Sequence, residues 1–315
     1  MTELQRNGAS SLADQTVAVT GATGFIGRYL VEALRARRAR VRAVARRPEA
    51  ARAIFPPDVE IHPADLSDRT ALSRAFEGAD AVIANAALIS VASADSARLI
   101  AANVEGVENT YSAMADAGVR RAVHTSTAVA YVPKRGHAYR EDDPLYPPGT
   151  RGHPLNHYGV SKAAGEHLAR ALCDQYGIDI SISRPHTVFG NHDRGTFTRW
   201  FLRFLRPPVS LFPSHLFLPA IYAGDLAEAM CRMLERPAAS GRAYHVCSDP
   251  DELSYWRLMR AYRQAGGRTP TVVLPIPVPI RRRYSTDRMR ADLDFMPSSP
   301  VESFRRMLES DASAL

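Results

Sequence analysis

Lysine is almost missing from this chain. Of 40 lysines plus arginines, only Lys134 and Lys162 are lysine. Arginine serves every other basic position, so a retained lysine marks a place where a compact ammonium suits better than a planar guanidinium. Cysteine is scarce as well. Cys173, Cys231 and Cys247 have neither metal-ligand nor disulfide spacing, which excludes a disulfide scaffold and suits reduced thiols in the cytosol. No apolar run approaches the length of a membrane span. Residues 1–15 are polar and lack the apolar core of a secretion signal. A cytoplasmic protein with no membrane partner is the expectation. No internal repeat is visible. The net charge of +7 is modest for 315 residues, and no nucleic-acid module is present, so no nucleic-acid partner is expected. One basic cluster, Arg281-Arg282-Arg283 with Arg288 and Arg290, either binds an anion or forms a solvated loop before the last helix. His153, His157, His186 and His192 lack ligand spacing, and no metal site is expected.

What is present begins at Thr16. Thr16-Val17-Ala18-Val19-Thr20 is a short β-branched, apolar run that fits a buried strand. Gly21-Ala22-Thr23-Gly24-Phe25-Ile26-Gly27 follows, and Arg28 to Leu34 has helical character. Strand, glycine turn and helix in this order form a dinucleotide-binding cradle. Glycine lets the backbone approach a pyrophosphate, and the helix N-terminus offers free N–H groups to it. The cradle residues are Gly21, Thr23, Gly24, Phe25, Ile26 and Gly27.

Residues 40–45 read as a second strand. An NAD site places an acid near its end to hold the ribose hydroxyls. Here Arg46 and Arg47 follow, with no acid until Glu49. A guanidinium fork suits a 2′-phosphate, so NADP(H) is expected in preference to NAD(H), with Arg46 the contact and Arg47 solvated. Residues 59–66 read as a third strand ending in Asp65, a candidate adenine contact, with Leu66 beside it. Residues 79–87 read as a fourth, whose Asn85, Ala86 and Ala87 would let the cofactor lie close.

Lys162 lies in Tyr158-Gly159-Val160-Ser161-Lys162, at the start of a helical stretch. A four-residue offset puts Tyr158 and Lys162 on one helical face. An ammonium beside a phenol favours phenolate and lowers the phenol's pKa. Such a pair moves a proton to or from a carbonyl or alcohol oxygen near neutral pH.

The glycine turn, a Ser/Thr on a later strand and Tyr-x-x-x-Lys, in this order, resemble the extended short-chain dehydrogenase/reductases, which include epimerase/dehydratase and hydroxysteroid-dehydrogenase-like branches. The resemblance runs from about Thr16 to the C-terminal helix. It implies an α/β fold: a Rossmann-type doubly wound parallel sheet with a smaller, discontinuous C-terminal substrate lobe. It implies that the active hydroxyl is Thr127, four residues before Tyr131, with Ser126 the alternative. It implies that Asn103 holds backbone or water near the lysine, and that Pro185 lies beside the nicotinamide. By the same resemblance Lys162 would bond the nicotinamide ribose as well as tune Tyr158.

The expected division is a flexible 1–14, a cofactor domain over 15–185 with 220–250 returning to it, and a substrate lobe from 186–219 and 251–315. Nucleotide-sugar members usually carry Phe-Asn after Arg-Pro, where this chain has His186-Thr187. They also tend to carry an arginine four residues before the aromatic of the return strand, where counting back from Tyr222 gives Leu218. Both departures favour an apolar or weakly polar carbonyl substrate, with His186 and Thr187 as contacts. Phe197, Trp200, Phe201 and Phe204 fall at helical spacing, as either a pocket lining or core. The long stretch 133–157, with several prolines, reads as a loop over the site. An NADP(H)-dependent ketoreductase or alcohol dehydrogenase, with Tyr158 as proton donor, leads the readings. A nucleotide-sugar epimerase, dehydratase or 4-ketoreductase is the alternative, and a non-catalytic NADP(H) sensor stands third. The resemblance also implies a homodimer.

Overall fold

The computed structural model describes residues 11–88, 99, 101–134, 138–152, 156–193, 198, 209–213, 219–248, 255–276 and 283–312. Leu218, Phe197, Trp200, Phe201, Phe204, His153, Arg281 and Arg282 lie outside the described residues, as do positions 1–10 of the amino terminus. Contacts divide the chain into two compact units. The first draws on the chain up to Lys134, on Asp142–Arg184 and on Ala227–Tyr244. The second draws on Arg135–Glu141, Pro185–Leu226 and His245–Leu315.

The first unit is built on a seven-stranded parallel sheet in the order β10-β6-β5-β4-β1-β2-β3. Its strands are β1 (Thr16–Thr20), β2 (Arg40–Ala45), β3 (Glu60–Pro63), β4 (Ala81–Ala84), β5 (Arg121–Thr125), β6 (Asp179–Pro185) and β10 (Ala243–Val246). Every residue of β1 and β4 is buried, as expected of strands covered by helices on both faces. The helices include α1 (Phe25–Ala36), α3 (Arg69–Phe76), α4 (Gly106–Asp116) and α5 (His157–Tyr176), with the short α2 (Pro48–Arg52) after β2. Tyr29, Leu30, Val31 and Leu34 bury the inner face of α1. The Asp68 carboxylate caps α3 by accepting from Ala71 N at 2.9 Å, and α5 stops at Gly177, which turns left-handed. Leu12, in the segment ahead of β1, is buried.

The order of the strands reverses direction between β1 and β4. At such a switch point the loops beyond the carboxyl ends diverge and leave a crevice. The glycine turn leaves β1 there. The fourth strand, expected over 79–87, ends at Ala84, where the Thr20 hydroxyl takes the next two N–H groups, so Asn85, Ala86 and Ala87 lie beyond it. Two further strand ends are corrected. β3 stops at Pro63, so Asp65 and Leu66 lie in the following turn, and β5 stops at Thr125, so Ser126 and Thr127 lie beyond it. In each case a side-chain-supported turn replaces the ladder. Asp65 accepts from Ser67 N and Oγ, and Thr127 caps a 3₁₀ turn over Ala128–Ala130.

The second unit has two small parallel pairs. β7 (Thr187–Phe189) pairs with β9 (Ala220–Tyr222), and β8 (Val209–Pro213) with β11 (Val272–Ile276). Phe304, from helix Pro300–Ala312, packs against Phe189 and Tyr262. Asp225 receives Ser298 N at 2.8 Å and Ser298 Oγ at 3.0 Å. The expected loop over 133–157 is partly ordered by this unit, because Tyr139 bridges Tyr284 and their rings stack at 5.0 Å.

Candidate active site

The cradle at the end of β1 is shaped by close approach. A Cβ on Gly27 would sit 2.2 Å from the Gly21 carbonyl oxygen and 2.6 Å from that of Ala22, so no side chain fits. Gly24 caps α1 without a side-chain bond, and no acid lies in the helix's first turn. The first N–H groups and the positive dipole end of α1 are therefore matched to an anion. Phe25 and Ile26 begin the helix, and the Thr23 carbonyl accepts from Arg28 Nε at 3.3 Å. Across the switch point, Thr20 Oγ1 accepts from the N–H groups of Asn85 and Ala86, both at 3.1 Å. That hydroxyl fixes Asn85-Ala86-Ala87 against the glycine turn.

Arg46 leaves β2 exposed, its Nε 3.8 Å from the Asp65 carboxylate. Hydrogen bonds from the Ser67 backbone and hydroxyl, with help from Arg46, hold the Asp65 carboxyl below its ordinary range. Leu66 offers its carbonyl to Asn109 Nδ2 at 2.9 Å.

The proton-handling residues stand on α5. Lys162 is buried, and its Nζ donates to the Thr125 carbonyl at 2.7 Å. Burial pushes this ammonium down to about 8, while the Glu166 carboxylate pulls it up. Tyr158 is half-buried. Burial pushes its phenol above the ordinary value, the reverse of the lowering expected from Lys162. The physical reason is direction: the ammonium is committed to a carbonyl at the end of β5, and desolvation dominates the phenol.

Asn103 sits in a π-helical turn, Ala101–Glu105. Its Oδ1 accepts from Leu88 N at 2.8 Å, and its Nδ2 donates to the Leu88 carbonyl at 3.0 Å and to Ser161 Oγ at 3.1 Å. Ser161 Oγ in turn donates to the Tyr158 carbonyl at 2.9 Å. Asn103 thus holds backbone and reaches the first turn of α5 through Ser161. Ser161 was not singled out in the sequence, because a serine between Tyr158 and Lys162 carries no pattern of its own.

Thr127 and Ser126 are both buried beyond β5. Ser126 N donates to the Ser183 carbonyl at 2.8 Å, and Thr127 Oγ1 accepts from Val129 N at 3.4 Å. The first turn of α5 presses on this segment. A Cβ on Gly159 would stand 2.4 Å from the Val129 carbonyl oxygen. Gly159 therefore sets how near Tyr158 can come to the Thr127 turn.

Sequence reasoning also passed over His124. It is fully buried on β5, and its Nδ1 pairs with Tyr111 OH at 3.1 Å. Burial first, and the Lys162 charge second, push His124 down to about 3. The sign follows. Below about 6.5 the unfolded chain protonates this histidine and the folded chain does not, so acid favours unfolding. Moving from pH 6 to pH 5 is expected to cost about 1.2 kcal/mol through this group alone. Denaturant unfolding at the two pH values checks it. A His124→Gln variant that kept the wild-type pH slope would overturn it.

In the second unit, Pro185 is buried, while His186 and Thr187 are half-buried. His186 Nδ1 lies 2.9 Å from Thr187 Oγ1, and its ring sits 5.5 Å from that of Tyr284. Tyr284 was not foreseen. The three cysteines are buried thiols, and burial pushes Cys173 and Cys231 up to about 12. Among the described residues no cluster of ligands could hold a metal, and no helix is long and apolar enough to cross a membrane.

The chain is similar to known proteins. Sterol demethylase protein B of Methylococcus capsulatus is 35% identical over 182 residues, which are 56% of this chain and 53% of that protein. This chain thus spans about half of that relative's length. The 3 beta-hydroxysteroid dehydrogenase/Delta 5-->4-isomerase of Mycobacterium tuberculosis is 29% identical over 284 residues, 84% of this chain and 74% of that one. Among solved structures, UDP-glucose 4-epimerase of Thermotoga maritima superposes with a TM-score of 0.78 at 18% identity, covering 96% of this chain and all of that one. At that identity the likeness is one of fold. Residues 17–247 match the NAD dependent epimerase/dehydratase family. With its glycine cradle at the switch point and its Tyr-x-x-x-Lys helix, the chain belongs to that family and is an extended short-chain dehydrogenase/reductase.

Proposed function

We propose that this protein is an NADP(H)-dependent oxidoreductase that interconverts a ketone and a secondary alcohol on an apolar or weakly polar small molecule. The observation that carries the reading is Lys162, buried one turn from Tyr158 on α5, with Gly159 letting that turn sit against the Val129 carbonyl of the turn that Thr127 caps. The glycine cradle fits a dinucleotide pyrophosphate, since a Cβ at Gly27 has no room and the α1 terminus carries no acid. When bound, the dinucleotide supplies or takes up hydride. Tyr158 gives its proton to the carbonyl oxygen, and its phenolate takes that proton back in the reverse reaction. A phenol kept protonated by burial is in the right form for reduction. Thr127 donates a hydrogen bond to the same oxygen as charge develops there. Lys162, anchored to the Thr125 carbonyl through one of its three N–H donors, keeps another for the nicotinamide ribose.

NADP(H) is favoured over NAD(H) because Arg46 is exposed at the end of β2, where an acid would hold ribose hydroxyls. A charge-assisted bond of about 1.5–3 kcal/mol is at stake. Arg46→Ala is expected to raise KM for NADPH about 10- to 100-fold and to leave NADH within about twofold. Equal loss with both cofactors, in initial-rate assays, would remove Arg46 from the 2′-phosphate.

An apolar substrate is favoured by His186-Thr187 in place of Phe-Asn, by Leu218 in place of arginine, and by the steroid dehydrogenase relative, which aligns with 84% of this chain. The test is NADPH oxidation with hydrophobic cyclic and polycyclic ketones against a nucleotide-linked 4-keto-6-deoxy sugar, with Tyr158→Phe as the blank. Turnover of the ketones supports the reading. Turnover of the sugar nucleotide alone overturns it.

A further inference from the structure

One turn beyond Lys162 on α5 lies a carboxylate that the reaction above does not use. Glu166 is fully buried, and so is its partner Arg184 on β6. Arg184 Nε donates to Glu166 Oε2 at 2.9 Å, and Nη2 donates to Oε1. Arg170 Nε reaches Oε1 at 3.3 Å. Arg184 has a third contact: Nη1 to the Tyr131 hydroxyl at 2.5 Å, with the guanidinium 5.1 Å from the ring centre. One arginine thus joins three segments. They are α5 with Tyr158 and Lys162, the turn from Thr127 to Tyr131, and the strand that runs on into Pro185.

Burying two charges is a poor way to gain stability alone, since apolar residues of similar volume often do as well. We propose that Glu166 and Arg184 are positioning residues for the site: Arg184 fixes the Glu166 carboxylate, and Glu166 is the built-in counter-charge of Lys162. The catalytic meaning rests on the function proposed above, but the counter-charge does not.

The ionisable groups on α5 and on the elements packed against it support the assignment. From β5 comes His124, kept neutral by burial, with Tyr111 of α4 bonded to it. From β6 comes Arg184, from the turn Tyr131, and from α5 itself Tyr158, Arg170 and Glu166. Glu166 is the anion of this set. Burial alone would raise its carboxyl, but the guanidinium of Arg184, with Arg170 and Ser126, holds it well below the usual range.

The scarcity of lysine gives a direct test without substrate. Protein labelled at lysine Cε yields two resonances, and Lys134→Arg assigns them. The Lys162 signal is expected to titrate near 8 in the wild type. In Glu166→Gln its midpoint is expected to fall by about one pH unit or more. Glu166→Gln leaves the Arg184 charge buried and alone, so Glu166→Met with Arg184→Met is the second variant, and its midpoint is expected to fall too. A folded variant with the wild-type midpoint would overturn the counter-charge. Failure of both variants to fold would overturn it as well, by assigning the pair to stability alone. In the ketone assay, the alkaline limb of turnover should move with the midpoint. A shifted lysine with no turnover of any ketone would sink the proposed reaction and leave the counter-charge standing.

Discussion

Replacing Tyr158 by phenylalanine is expected to lower kcat about 10³-fold or more while leaving cofactor affinity within about twofold. The ring stays and only the hydroxyl goes, so the half-buried packing at the start of α5 is kept. What is lost is the proton donor. Burial keeps this phenol protonated at neutral pH, and Thr127 cannot replace it, because an aliphatic hydroxyl is too weak an acid to complete the transfer. Lys162 cannot replace it either, since its ammonium is directed at the Thr125 carbonyl. Steady-state turnover, paired with NADPH titration by fluorescence, separates the two quantities. A loss under about tenfold would move the proton to water or another residue. A parallel loss of cofactor binding would make Tyr158 a scaffold residue.

The sequence made the cofactor half of this fold legible, because each cue there is local. Thr16–Thr20 is a continuous, mostly apolar run, the glycines follow at once, and the helix comes next, beginning at Phe25 rather than Arg28. Strand ends were less legible. Residues 59–66 and 79–87 both read as longer strands than they are, and the active hydroxyl was placed on a strand that stops before it. Apolar periodicity continues through a turn when the turn is itself buried, as Ser126 and Thr127 are. The π-helical turn carrying Asn103 had no cue at all. Pairings far apart in sequence were also hidden. His124 with Tyr111, and Glu166 with Arg184, are settled by which faces of α4, α5 and the sheet meet. A signal did exist for the second pair. Glu166 continues the face of Tyr158 and Lys162 at four-residue steps, and Arg184 interrupts a strand otherwise built for burial.

Breaking that pair should also be costly to the first unit. Arg184→Met alone is expected to cost about 3–5 kcal/mol, because it strands the Glu166 charge in a dry interior. Adding Glu166→Met should recover most of the loss, since two matched apolar side chains then fill the volume of two matched charges. Distance does not set this cost. Arg35 Nε stands 2.8 Å from Asp58 on the surface, as close as Arg184 stands to Glu166. There water solvates whichever partner remains, and Asp58→Asn should be silent in the same assay. Burial decides between them. Chemical denaturation of the two single variants and the double variant at neutral pH gives the comparison. If the single and double variants were equally destabilised, the cost would lie in lost packing and the Tyr131 contact rather than in a stranded charge. If Arg184→Met cost no more than a surface pair, water must reach Glu166, and its role beside Lys162 would fall with its burial.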